Sequence, residues 1–340
     1  MSKMTNRRRF MKQSALATVA LAATTRAWGL EKERQLMSVT GPVTADQVGS
    51  MLIHEHLLVD FIGADKTGYH RWDRAKVVEK VLPYLNEVKA LGCQTLADCT
   101  PAFLGRDPWL LKELSEKSGI NILTNTGFYG AVNNKFIPSF AFEETAKQLA
   151  NRWTKEYKKG IEGSGVKPGF IKISVGSGPL SDFHRRLITA AGITHQKTGL
   201  VIASHTGPAL PAMEQLDVLE GMGVDANAFI WVHAQNEKDF NQFRIAGKTG
   251  AWVSFEGIRA GNVADTVARV MYMKEQGLLH RTLVSHDAGW YDPDKEEGGE
   301  FAPFTTIYTQ LIPMLKNEGL TDKEVKVIFE TNPVEAFAIR

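Results

Sequence analysis

Eight short apolar runs, each followed by a longer amphipathic stretch, set the narrowest limit on what this chain can fold into. The runs are MLIHEHLLVD (51–60), TLADCT (95–100), INILTNTG (120–127), FIKISVG (170–176), LVIASHT (200–206), FIWVHAQ (229–235), AWVSFEG (251–257) and TLVSHDAG (282–289). Helical periodicity lies between them, over 73–91, 107–118, 141–159, 181–198, 209–223, 236–249 and 261–276; further helices are expected at 303–318 and 322–331. Near-continuous apolar strands alternating with helices mean a parallel sheet covered on its outside. Eight such units within about 280 residues fit a closed (β/α)8 barrel, the TIM-barrel class of α/β fold, better than an open sheet. No Pro-, Gly- or Ser-rich linker divides the series. Residues 28–340 are therefore expected to form a single barrel domain, with 38–50, around Gly41-Pro42, as a hairpin or strand over its floor.

Residues 1–27 read as a separate matter. Arg7-Arg8-Arg9-Phe10-Met11-Lys12 precedes an apolar stretch from Ser14 to Ala23, the pattern of a twin-arginine signal peptide. The stretch is too short to cross a bilayer as a helix, so the expected destination is the periplasm or the medium, with no membrane attachment after signal removal. Six of the 40 Lys and Arg residues lie in this segment and none of the 38 acids, which leaves 34 bases against 38 acids, net −4. The basicity belongs to the leader, and nucleic acid is not an expected partner. Cys93 and Cys99 flank one strand at a spacing too long for a disulfide; two buried free thiols are expected.

The chemistry-bearing residues gather at strand ends. His54 and His56, two apart on the first strand, leave it on one face. Taken alone, that pair is as compatible with a structural role as with metal binding. Lys172 sits inside FIKISV, where Ile171 and Ile173 should face the helices and Lys172 the barrel interior. A lone buried ammonium is costly. Either an interior acid neutralises it, or an amine held neutral by burial reacts with carbon dioxide to give a carbamate, an anion able to bridge two metals. His205, His233 and Asp287 close the fifth, sixth and eighth strands. Ligands from five strands at the carboxyl ends, where barrels of this kind place their sites, argue for a metal centre. Imidazole and carboxylate suit Zn2+, with Mn2+ or Co2+ as substitutes.

The segments GPVTADQVGSMLIHEH, GRDPWLLKELSEKSGINILTNTGFY, GFIKISVG, VIASHT, VHAQN, VSHD and TNPVEAF resemble the phosphotriesterase family of the amidohydrolase superfamily, which includes phosphotriesterase-like lactonases. The resemblance spans roughly 38–338 and keeps all six ligand positions in order. It implies a metallo-dependent hydrolase barrel in which His54, His56 and Asp287 hold the more buried ion and His205 and His233 the more exposed one. Lys172, as N6-carboxylysine, and a hydroxide would bridge the ions, with Asp287 accepting the hydroxide's proton. The implied substrates are small esters, lactones or organophosphates, and a homodimer is the assembly the family suggests. Two positions depart from the family's proton relay, which here holds Asn236 and Gly257; Glu256 or Arg259 stand nearby as substitutes. Tyr129, Phe128, Trp290 and Arg259 are the expected substrate contacts, with Phe103 as a further apolar wall. His286 should face away from the pocket, and His70, His184, His195 and His280 lack any strand-end context. The competing readings are a phosphotriesterase or phosphodiesterase proper, and a catalytically weak barrel kept for ligand binding.

Overall fold

The computed structural model describes residues 34–339; the leader expected over 1–27 lies outside them. A two-stranded antiparallel hairpin, β1 (Gln35–Ser38) and β2 (Gly41–Thr44), precedes the barrel. The barrel strands are β3 (Ser50–Leu58), β4 (Cys93–Asp98), β5 (Asn121–Leu123) with β6 (Asn125–Thr126), β7 (Phe170–Ser174), β8 (Ile202–His205), β9 (Phe229–Val232), β10 (Trp252–Phe255), and β11 (Thr282–Val284) with β12 (Gly289–Tyr291). All pair in parallel, and the expected helices separate them, from Arg74–Ala90 to Val263–Glu275. The third strand is broken at Thr124 and the eighth between Val284 and Gly289.

Those two breaks close the ring. β5 pairs with β4 while β6 pairs with β7; β11 pairs with β10 while β12 pairs with β3. Each seam carries a glycine with positive φ that brings the strand against its neighbour's backbone. A Cβ on Gly127 would sit 2.1 Å from the Lys172 carbonyl oxygen, and one on Gly289 2.0 Å from that of His56. Only glycine allows so close an approach at these dihedrals.

Alternation then sorts the side chains. Ile171, Ile173, Ile202, Trp231, Val253 and Phe255 pack outward against the helices. Met51, Ile53, Leu123, Phe170, Ala203, Ile230, Trp252 and Leu283 fill the lower barrel. Leu36, Val43 and Val48 from below, with Ala336 and Phe337 from the last helix, complete that inner cluster. The expected hairpin thus covers the floor, beginning three residues earlier, at Gln35. The last helices hold two π-helical turns, Ile307–Leu311 and Val327–Thr331, which apolar periodicity alone does not distinguish from α-helix. Cys93 and Cys99 are buried and free.

Candidate metal centre

Parity alone would turn His54 away from the interior, because Met51 and Ile53 already face inward. A β-bulge reverses this. Leu52 pairs with Leu96 and Glu55 with Asp98, so β3 spends three steps where β4 spends two. The extra residue re-aims the strand, and His54 and His56 face the cavity with Glu55 between them facing out. Glu55, fully buried, accepts hydrogen bonds from Ser285 Oγ (2.8 Å) and the backbone N–H groups of His286 (2.9 Å) and Ala288 (2.8 Å). It thereby fixes the turn that carries Asp287. His286 faces away from the pocket, as expected. Its Nε2 accepts the Ile307 N–H at 3.0 Å, so Nδ1 carries the proton donated to Glu55, also at 3.0 Å.

His233 and Asp287 reach the cavity by another device. Both have left-handed backbones, φ 63° and φ 53°, which cost non-glycine residues about 1–2 kcal/mol. Glu256 accepts the His233 N–H at 2.6 Å. Arg259 donates to the carbonyls of Ile258 (2.9 Å), His286 (2.7 Å) and Asp287 (2.8 Å). The strain at each position is thus offset by a dedicated bond.

The six residues meet in one cavity of about 280 Å3. Asp287 Oδ1 lies 3.2 Å from His56 Nε2 and 3.7 Å from His54 Nε2, and Oδ2 lies 3.7 Å from His233 Nε2. Lys172 Nζ is 3.4 Å from His54 Nε2. The His205 and His233 rings are 4.2 Å apart, and the Tyr129 hydroxyl lies 3.1 Å from His205 Nδ1. Three Nε2 atoms therefore converge on one carboxylate, while their Nδ1 atoms are backed from behind. His56 Nδ1 is 2.8 Å from Thr100 Oγ1; His54 and His233 Nδ1 are 3.6 and 3.5 Å from Glu256. His54 Nδ1 makes no hydrogen bond, whereas His56 is oriented through its far nitrogen, the usual arrangement for a ligand. Among the described residues, His54, His56 and Asp287 form a group able to hold one ion, with ligand atoms within 4.8 Å of one another.

The electrostatics agree. Burial, then the Lys172 ammonium, pushes the His54 imidazole well below its ordinary value; burial and His233 do the same to His205. Burial takes His233 down to about 4. Burial alone would raise the Asp287 carboxyl, but His54 and His56 outweigh it and hold it well below the usual carboxylate range. At neutral pH His54, His205 and His233 are therefore held as neutral imidazoles and Asp287 as a carboxylate, the protonation states that metal binding requires.

The outer wall is apolar: Val59, Phe61, Leu104, Tyr129, Val132, Phe136 and Trp290, with Lys135. Tyr129 and Trp290 stand where the sequence suggests. Two expected substrate contacts do not. Phe128 faces away, because its neighbour Tyr129 faces in; it packs edge-on against Phe103 (5.5 Å) and Trp153 (5.5 Å). Phe103 belongs to that outer cluster too. Arg259 is used up on backbone carbonyls and does not line the cavity. Neither Asn236 nor Gly257 lines it, and Gly257 has φ 74°, a conformation unfavourable to a titratable residue. Gln235 occupies the adjacent space, its Oε1 accepting the Glu256 N–H at 3.0 Å and its Nε2 3.3 Å from His233 Nδ1. Glu55, Gln235, Lys135 and Phe136 are the participants that sequence reasoning passes over. For Glu55 a signal existed: an acid between two inward histidines on a strand must face out into the packed layer and find buried donors there.

Comparison with known proteins places this geometry. Residues 34–337 match the model of the phosphotriesterase family. The phosphotriesterase homology protein of Escherichia coli K12 is 26% identical, over 86% of this chain and 99% of its own. The aryldialkylphosphatase of Saccharolobus solfataricus is 23% identical, over 87% and 97%. The N-acetyltaurine hydrolase of Dictyostelium discoideum is 26% identical, over 77% and 74%. A double mutant of organophosphorus hydrolase from Deinococcus radiodurans shares the fold, with TM-score 0.81 at 24% identity, over 91% of this chain and 98% of that one. A barrel with this order of strand-end residues, matched along nearly all of its described length, belongs to the phosphotriesterase family.

Proposed function

We propose that this family hydrolase cleaves a carboxylic ester or lactone, with phosphotriester cleavage as a side activity, at a pair of divalent metal ions. The observation that carries the reading is the convergence of three imidazole Nε2 atoms on the ionised Asp287 at the base of an apolar cavity. His54, His56 and Asp287 would hold one ion and His205 and His233 the other, with Lys172, carboxylated on Nζ, shared between them; zinc is the metal that this donor set suits best. Such ions, when bound, lower the pKa of water and polarise the oxygen of the scissile group. Asp287, ionised at neutral pH, accepts the proton of the attacking water. Burial holds the Tyr129 phenol protonated, and its hydroxyl beside His205 is placed to donate to the substrate's acyl oxygen. Phe61, Phe136 and Trp290 keep bulk water off the reacting groups.

Metal analysis followed by assay on a lactone panel and an aryl phosphotriester tests this. The expected result is about two zinc equivalents, the stoichiometry of a paired-ion site, with lactone turnover that chelation abolishes and zinc with bicarbonate restores. A single ion, or an unmodified Lys172 amine in metal-replete protein, overturns it. The N-acetyltaurine hydrolase relatives favour a second reading, amide cleavage at the same centre, so an N-acyl panel belongs in the assay. We propose further that 1–27 directs export of the folded, metal-loaded enzyme through the twin-arginine route; replacing Arg7, Arg8 and Arg9 by Lys should keep the enzyme in the cytoplasmic fraction.

A further inference from the structure

We infer that the cavity selects substrates carrying an anionic group remote from the scissile bond, and that Lys135 is the residue that reads that charge. The inference rests on the hydrolase reading for the reaction, but not for the binding.

Among the cavity-lining residues, leaving aside Lys172, which is read above as carboxylated, Lys135 is the one lysine or arginine and Asp287 the one acidic side chain. Asp287 is engaged by His54, His56 and His233. Lys135 Nζ makes no ion pair with any carboxylate among the described residues; its recorded partner is the Phe136 ring, 5.4 Å away. Lys135 is exposed at the mouth of the cavity, but its stem is held. A Cβ on Gly63 would touch the Lys135 Cγ and Cε at 3.6 Å, so the stem lies along that glycine. The Ala64 N–H donates to the Lys135 carbonyl at 3.1 Å. The aliphatic chain is therefore packed while its ammonium stays at the mouth.

The segment that delivers it is strained. Val132, Asn133 and Asn134 all have positive φ, at 54°, 54° and 60°. Three consecutive left-handed residues without a glycine cost several kcal/mol, and such runs persist only where surroundings over-determine them. Here His184 Nε2 is 3.0 Å from the Gly130 carbonyl and 3.3 Å from Asn134 Oδ1. Tyr129 bridges both Phe136 and Ser174, and the Lys135 N–H donates back to Val132 O at 3.1 Å. One left-handed turn thus delivers Val132, Lys135 and Phe136 to the cavity wall. An apolar passage flanked by an unpaired cation fits a substrate with an apolar middle and an anionic end, such as a carboxylate or sulfonate.

The test uses the full chain after chelation, so that no reaction or metal contributes. The probes are 3-phenylpropane-1-sulfonate and the neutral 3-phenylpropan-1-ol, titrated calorimetrically. The sulfonate should bind about tenfold more tightly, a difference that shrinks with added salt. Lys135→Met should abolish the preference while leaving alcohol binding unchanged, Lys135→Glu should reverse it, and Lys135→Arg should keep it. Each variant's thermal midpoint, unchanged at so exposed a position, separates lost recognition from lost fold. With metal-loaded enzyme, Lys135→Met should raise KM for a carboxylate-bearing lactone about tenfold, with kcat unchanged and no effect on its methyl ester. A sulfonate preference that survives Lys135→Met overturns the inference. If no ester, lactone or amide is turned over while the Lys135-dependent preference remains, the hydrolase reading fails and this one stands.

Discussion

At the floor of the barrel, Phe170, Trp252 and Leu283 meet Leu36 and Phe337 in a closed apolar cluster. A few residues further along the same strands stand Lys172, Glu256 and Asp287. The two layers share backbone, inward parity and burial, yet the floor is apolar but for the buried Cys99 thiol, and the upper layer is made of imidazoles, carboxylates and an amine. The floor gains stability from each contact, roughly 1.5–3 kcal/mol per large buried side chain. The upper layer spends stability to keep imidazoles neutral and a carboxylate charged where water is scarce. Stability and chemistry are divided by height within one ring.

The comparison can be broken most sharply at Asp287. Asp287→Asn should lower kcat/KM by about 10³-fold or more, the scale of losing a group that stabilises the transition state. The thermal midpoint should stay level or rise, since the strained site is relieved of charge; a variant that unfolds instead would mean that this layer supports the fold. Phe337→Ala is the converse experiment. Urea unfolding should show a loss of about 3–5 kcal/mol, with kcat/KM of the folded fraction unchanged. Glu256→Gln sharpens the boundary, because that carboxylate lies beneath both His54 and His233. Metal affinity, read by competition with a chromogenic chelator, should fall about 10–100-fold, while unmetallated protein stays folded. The smallest effect is expected at the rim: Trp290→Ala should raise KM a few-fold, worth about 1 kcal/mol, and leave both stability and metal content alone.

Most of this division is legible from alternation alone. Phe170 and Lys172 share parity, and so do Val201, Ala203 and His205, so a reader of strands can place both the packing and the chemistry. What alternation hides are its own interruptions. The bulge in β3 keeps Ile53 in the floor while turning His54 into the cavity, and the left-handed His233 reverses the parity set by Ile230 and Val232. Strand-end position identified these residues, but for a reason the structure supplies only afterwards. Phe128 shows the converse error: an aromatic beside a well-placed tyrosine must point the other way on an extended backbone. Arg259 differs from its sequence expectation because backbone carbonyls, which residue type does not reveal, claim its guanidinium. Nothing in the sequence marks Lys135, whose place at the cavity wall depends on the left-handed turn over Val132, Asn133 and Asn134.

The hydrogen bond from the Ile339 N–H to the Gln35 carbonyl, 3.0 Å long, has an engineering consequence. The barrel begins and ends at one spot beneath its apolar plug, on the side away from the reacting groups. Gln35 and Ile339 can be spliced through a few residues and the chain reopened in the exposed stretch around Glu296, giving a circular permutant with its apolar plug intact.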